Sequence, residues 1–338
     1  MGERTYPLRM VAWELTRNCN LACIHCRASA AYGPHEGELS TGECRTIIDD
    51  MVSFSTPTVI LTGGEPLMRP DLFDIIEYGH FKGLRMVIAV NGTLVDENAA
   101  GKLKASGIRR VSLSIDGKDS QSHDTFRAVN GSFDAVMNAA KILVRADLPF
   151  QVNTTVTALN VDQIDDIYFL ARSLGAVAWH VFLLVPVGRG RGLKGKELSA
   201  GDYEEVLHHL RDVETRNELE IKVTCAPHYY RIVSEDGGVP QSAGCLAGKS
   251  FMFISHRGHA QPCGYLELNC GNVREEGIKK VWEDSAIFGE LRDISSYRGK
   301  CGGCRYIKIC GGCRARAYES TGDYREAEPL CSYVNRKS

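Results

Sequence analysis

Cys19, Cys23 and Cys26 stand within eight residues of one another, in the stretch CNLACIHC, with His25 beside the last of them. Cysteines this close cannot all bridge each other. Their shared chemistry is therefore thiolate ligation of a soft metal or of an iron–sulfur cluster. A four-iron cube takes one ligand per iron, so three cysteines leave one iron for something that is not protein. A structural zinc ion takes four protein ligands. His25 is an imaginable fourth, although its place directly beside Cys26 makes convergence on one ion awkward.

A second group of thiols closes the chain. Cys301-x2-Cys304-x5-Cys310-x2-Cys313 is followed by Cys331 and preceded by Cys245-x12-Gly258-x4-Cys263. The 338 residues hold thirteen cysteines, an odd count clustered toward two ends. The first ten residues, MGERTYPLRM, lack the apolar core of an export signal. A cytoplasmic protein is the expectation, and disulfides are rare there, so metal binding fits better than a disulfide framework. Two C-x2-C pairs also suit a zinc ribbon. Cys44 falls inside a helical pattern and reads as a buried structural thiol. A formal net charge of −2 gives no general reason to expect nucleic acid as a partner, and no apolar run is long enough to span a bilayer.

The elements that must position these residues alternate. β-Branched runs at 9–15, 58–63, 85–92, 110–117, 150–157 and 178–185 predict strands. Helical periodicity lies between them, in TGECRTIIDDMVSF, DLFDIIEYGHF, ENAAGKLKASG, SFDAVMNAAKILVRA and VDQIDDIYFLARSLG. Ser40, Asp71 and Ser132 read as helix starts, and Gly107 and Gly175 as stops. Repeated β-α units predict an α/β fold with a parallel sheet, whose functional end is at the strand C-termini. Periodicity does not choose between an incomplete barrel and a flat doubly wound sheet. The expected divisions are 1–200 for this sheet, 201–239 for a linking region with a short strand at 222–227, and 240–338 for a small domain organised around its cysteines.

The spacing C-x3-C-x2-C after a first strand, followed by Gly63-Gly64-Glu65-Pro66, resembles the signature of the radical S-adenosylmethionine (SAM) enzymes over nearly the whole chain. The resemblance implies a partial (β/α)6 barrel and a [4Fe-4S] cluster on Cys19, Cys23 and Cys26, whose free iron takes the amino and carboxylate groups of SAM. It places His25 against adenine and Thr62, Gly63, Gly64 and Glu65 at the SAM amino group. Asn91, Ser114 and Asp116 match positions for ribose and methionine, Arg127 for the SAM carboxylate, and Asn153 and Val156 for ribose and adenine. The C-terminal pattern resembles the SPASM extension, except that two residues, not three, separate Cys310 and Cys313. That implies two auxiliary [4Fe-4S] clusters, three in all. Cys301, Cys304, Cys310 and Cys331 would hold the distal one, and Cys245, Cys263 and Cys313 the nearer one, with Cys225 or Cys270 available as its fourth ligand or a site left open.

Within that family, VAWELTRNCNLACIHCRA, GAVAWHVFLLVPVGRG, TCAPHYYR, FISHRG with QPCGYL, and CGGCRARAY resemble the haem synthases of the sirohaem-dependent pathway. Such enzymes oxidatively decarboxylate two propionates of iron-coproporphyrin III to vinyls, giving haem b, with an electron donor and acceptor such as ferredoxin or flavodoxin. Arg189, Arg191 and Arg231 suit propionates. His228, beside Tyr229 and Tyr230, is placed to ligate or stack near the porphyrin iron, with His180, His256 and His259 as rivals. Relatives acting on didecarboxysirohaem or in the haem d1 branch, SPASM peptide maturases, and a non-enzymatic electron carrier or redox sensor are the alternative readings.

Overall fold

The computed structural model describes residues 6–240 and 244–334. The outermost residues of the first and last expected divisions therefore lie outside the described residues. Six predicted strands form: β1 (Met10–Glu14), β2 (Thr58–Thr62), β3 (Arg85–Val90), β4 (Val111–Ser114), β5 (Phe150–Val156) and β6 (Ala178–Leu183). Between them run α1 (Thr41–Phe54), α2 (Leu72–Phe81), α3 (Glu97–Ala105), α4 (Ser120–Arg127), α5 (Ser132–Arg145) and α6 (Ile164–Ser173). Ser40 caps α1 through a full capping box with Glu43. Asp71 caps no amide and instead takes Arg69 and Thr41 on its carboxylate. Ser132 is the first residue of α5 rather than its cap, which is Gly131. Gly107 and Gly175 sit at φ +99° and +83°, where L side chains are strained, just past the helix ends. The sequence reading passed over α4, because SQSHDTFR has almost no apolar stripe; Asp119 and Ser122 hold its start in a capping box.

The sheet also runs further than 178–185. The region 201–239 contributes α7 (Ala200–Thr215), the strand β7 (Glu220–Thr224) and α8 (His228–Glu235). The short strand expected in the linking region is β7, and it belongs to the sheet, pairing parallel with β6. Beyond 240, β8 (Phe251–Ile254) pairs parallel with β1, and β9 (Ala260–Gln261) follows antiparallel. The order is β7-β6-β5-β4-β3-β2-β1-β8-β9, with the predicted six strands in chain order at its centre. Short helices α9 (Val273–Glu276), α10 (Ile278–Asp284), α11 (Ala286–Arg292), α12 (Gly299–Gly302) and α13 (Arg314–Thr321) complete the C-terminal region. Among the described residues no helix is long and apolar enough to cross a membrane.

Alternation along the strands decides the choice that periodicity left open. Val11, Trp13, Val59, Leu61, Met86, Ile88, Leu113, Val152, Trp179 and Val181 are buried in one apolar cluster with the helices. The residues between them face the other way and include Glu14, Thr62, Ser112, Ser114, Gln151, Asn153, Thr155, His180 and Lys222. A doubly wound sheet is covered by apolar packing on both faces. Here helices cover one face, and the other, which carries these polar side chains beside Ile60, Val87 and Phe182, is the lumen of a partial barrel.

Two backbones meet where the cysteine loop begins. The Gly64 and Glu65 amides donate to the carbonyls of Thr16 and Asn18 at 2.7 and 2.8 Å. A Cβ on Gly63 would stand 2.4 Å from the Thr16 carbonyl oxygen, and one on Gly64 2.3 Å from that of Asn18. These glycines are required for the approach of the chain leaving β1.

Candidate active site

Cys19, Cys23 and Cys26 lie in the loop after β1, as expected from sequence, with Cys19 and Cys23 buried. The loop is held from several sides. The Cys19 amide donates to the Ala31 carbonyl at 3.1 Å, and the Ile24 amide to that of Phe126 at 3.1 Å. Arg189 donates to the carbonyls of Cys23 and Ala30 at 2.8 and 2.6 Å. Its guanidinium is thus committed to the cysteine loop, a correction to the propionate role expected for it. Asn20, which the sequence reading passed over, bonds Asn91 and Thr93 at 2.8 and 2.7 Å and ties the loop to the end of β3.

The residues expected around SAM converge on this loop. His25 packs on Phe126 at 4.5 Å between ring centroids and lies 3.9 Å from the Asp116 carboxylate. Burial, with Arg127 and Arg189 nearby, holds its imidazole well below the usual histidine pKa, so the ring is neutral. Asp116 accepts from the Thr155 amide at 2.6 Å and pairs with Arg127. Arg127 also reaches the Cys23 sulfur at 3.6 Å. Ser114 and Asn153 stand opposite one another in register on the lumen face. His25 Nδ1 and Arg127 Nε are buried with no hydrogen-bond partner among the described residues. Unpaired buried polar atoms are costly, and their position beside three thiols fits a polar ligand such as SAM.

Two assignments need correcting. The Glu65 carboxylate is fully buried and already accepts the Asn91 and Leu67 amides at 2.7 and 3.0 Å, so it joins β2 to β3 rather than standing free for an ammonium. Val156 is buried in the helix-facing apolar cluster, on the opposite side of β5 from Asn153 and Thr155, because strand side chains alternate.

The C-terminal cysteines form two groups. Cys301, Cys304, Cys310 and Cys331 line one cavity. Cys225, Cys263 and Cys313 share one apolar cluster with Cys245 close by; burial raises the pKa of these three, Cys313 to about 11, and the neighbouring Cys245 adds to each. Cys270 stands apart in the main apolar cluster, its thiol turned to the Leu268 carbonyl. Among the described residues no three Cys, His, Asp or Glu side chains close on the space of a single ion. Cysteines spread around a cavity suit a larger body, as an iron–sulfur cluster is. Between the groups lies the buried Arg316–Glu328 pair, 3.2 Å apart. Glu328 accepts the Cys313 amide at 2.8 Å, and Arg316 donates to the Leu184 and Cys225 carbonyls at 3.0 and 3.1 Å. Arg316 lies within the CGGCRARAY stretch, but nothing in the sequence marks it or Glu328 as a pair.

The expected substrate residues are occupied elsewhere. Arg191 pairs with Glu319 on the surface at 3.1 Å. Arg231 is buried against Glu204 and Glu235. The Tyr229 hydroxyl bonds Glu214 at 2.6 Å. His228 lines the cavity of Cys301, Cys304, Cys310 and Cys331 instead of the lumen. His256 bonds Glu14 at 2.8 Å. His180 does face the lumen, where its Nδ1 meets Gln151 at 2.9 Å and its buried Nε2 has no hydrogen-bond partner among the described residues. Lys222 lies beside it in register on β7. Burial pushes the Lys222 pKa down, with Arg110 adding to the effect, and no ion pair of its ammonium is found among the described residues.

The barrel, the three-cysteine loop and the cysteine-rich C-terminal region define a radical SAM enzyme with an auxiliary cluster domain. The chain matches the radical SAM superfamily over residues 13–172 and the SPASM iron–sulfur cluster-binding domain over residues 245–314. It belongs to that superfamily, and its cofactors are SAM and iron–sulfur clusters. Over 97% of this chain and 93% of the relative, it is 48% identical to the AdoMet-dependent heme synthase of Nitratidesulfovibrio vulgaris. Over 95% of this chain and 87% of the relative, it is 30% identical to the Fe-coproporphyrin III synthase of Methanosarcina barkeri. Streptococcus suis SuiB, solved with S-adenosylmethionine, superposes with a TM-score of 0.80 at 20% identity, covering 97% of this chain and 78% of that one. That likeness is one of fold.

Burial raises the Glu65 carboxyl to about 7, against the two amides that lower it. Its folded pKa lies above the unfolded value, so the folded state binds more protons between pH 4.5 and 7. Stability supplied by this group is present below that window and is lost as pH rises through it. Chemical unfolding of wild type and Glu65→Gln across pH 4.5–7 should show wild type losing stability relative to the variant as pH rises. A constant difference across the window would remove this role of Glu65.

Proposed function

We propose that this chain is a haem synthase that converts two propionates of iron-coproporphyrin III to vinyls. The observation that carries the reading is the 48% identity, across nearly the whole of both chains, to a relative named for haem synthesis. When bound, SAM and its cluster supply a 5′-deoxyadenosyl radical able to take a hydrogen atom from an unactivated carbon. Each propionate loses one hydrogen atom from its β-carbon, then carbon dioxide and one electron. A C–H and a C–C bond break, and the vinyl double bond forms.

The chain's residues bind and position. Cys19, Cys23 and Cys26 hold the SAM cluster. His25, Asn91, Ser114, Asp116, Arg127 and Asn153, with the backbone of Thr62, Gly63 and Gly64, would hold SAM. Lys222 and His180 replace the arginines as receivers of a substrate carboxylate, because a partly buried ammonium and a partnerless ring nitrogen both face the lumen. Cys301, Cys304, Cys310 and Cys331 hold one auxiliary cluster. Cys225, Cys245, Cys263 and Cys313 hold the other, making three in total. The clusters that these cysteines would hold supply redox centres able to take that electron, and a carrier such as ferredoxin or flavodoxin would receive it.

Anaerobic reaction of the reconstituted protein with SAM, a strong reductant and iron-coproporphyrin III, followed by mass spectrometry, tests the reaction. Two successive losses of the elements of formic acid should accompany matching 5′-deoxyadenosine; SAM cleavage with unchanged porphyrin would overturn the substrate. In the same assay Lys222→Met should raise KM for the porphyrin about tenfold, the size of one lost charge-assisted hydrogen bond. A KM equal to wild type would remove Lys222 from substrate binding. Iron analysis separates the two candidate ligands: Cys225→Ala should lose iron or gain a three-cysteine cluster signature by electron paramagnetic resonance (EPR), whereas Cys270→Ala should retain the wild-type content and spectrum.

A further inference from the structure

His228 opens α8 with 1% of its surface exposed. Neither of its ring nitrogens has a hydrogen-bond partner among the described residues. An unpaired polar group in the interior is costly, which points to an acceptor outside the chain. The ring packs edge-on against Tyr203, 5.2 Å between centroids, so its plane is fixed. It forms part of the wall of the cavity lined by Cys301, Cys304, Cys310 and Cys331. The charged groups around it are already paired: Arg316 with Glu328, and Arg231 with Glu204 and Glu235. Burial lowers its pKa to about 4, so the ring is neutral and carries a single N–H.

Other donors around these cysteines already point at sulfur. The Tyr306 amide lies 3.4 Å from the Cys304 sulfur and the Gly312 amide 3.4 Å from that of Cys310. Arg314 and the Glu328 amide reach the Cys301 sulfur at 3.5 and 3.4 Å. We propose that His228 is one more of these donors, giving its N–H to a sulfur of the cluster held by Cys301, Cys304, Cys310 and Cys331. It is a positioning residue that raises the cluster's reduction potential, not a ligand to the substrate. The inference rests on reading those four cysteines as cluster ligands. A hydrogen bond to sulfur favours the more negative, reduced state, and such bonds are among the factors that set cluster potentials.

EPR-monitored redox titration of the reconstituted full chain tests this, with the cluster assigned as the signal lost in Cys304→Ser. His228→Phe should move that cluster's midpoint to more negative potential with iron content unchanged, and His228→Asn, which keeps an N–H, should move it less. An unmoved midpoint in a fully loaded His228→Phe protein overturns the proposal. Should His228→Phe fail to load, wild type labelled with [15N]histidine decides. A weak 15N coupling to the reduced cluster supports the hydrogen bond. No coupling, or the strong coupling of a direct ligand, overturns it. Zinc at these four cysteines, with no such signal in wild type, would overturn the cluster reading itself and is distinct from every other result.

Discussion

The site depends on one close approach. The chain leaving β1 and the chain leaving β2 come together at Thr16–Asn18 and Gly63–Glu65, with amide-to-carbonyl bonds and no room for a side chain between them. The cysteine loop departs from this junction, so its origin is as rigid as the sheet. Glu65 extends the junction sideways to the Asn91 amide, and Asn91 returns to the loop through Asn20. Three strand ends and the loop are thereby one hydrogen-bonded unit. Short-range geometry of this kind lets a site hold reacting groups to a fraction of an ångström.

The C-terminal region solves a different problem. Seven of its thiols stand with Cys225 in two groups, and burial raises most of the eight, so gathering them without a cationic centre is unfavourable. The Arg316–Glu328 pair stands between the groups and bonds to the backbone at Cys313, Cys225 and Leu184. Leu184 lies just past β6, so the same arginine fixes the cluster region to the barrel. A buried pair of this kind is weak evidence for added stability, but it holds the two cysteine groups in a defined relation. The sheet does the same on its other edge, where β8 joins β1.

Much of the fold was legible because local patterns carry it. The six central strands and five of the helices follow from apolar period alone, and Ser40 announces α1 through a capping box that needs only its own neighbours. α4 is missed because it is nearly all polar and is stabilised by its ends. β7 is legible as a short strand and β8 is not, and nothing local marks either as part of the same sheet, because their pairing rests on contacts remote in sequence.

The sequence by itself determined the chemistry: the cysteine spacings, the glycine pair and the family they belong to are composition and order, and thiolate ligation demands those residue types wherever the chain goes. Only the tertiary structure decided which residues were available for that chemistry. Arg189, Arg231 and Tyr229 read as substrate contacts until the fold supplied nearer partners, and Cys225 and Cys270 were equivalent until one joined three thiols and the other entered the apolar core. His228 moved from the substrate to a cluster wall in the same way. Residue type sets what a side chain can bind, but a hydrogen bond or ion pair acts over a few ångströms, and which groups stand within that distance depends on contacts between residues remote in sequence.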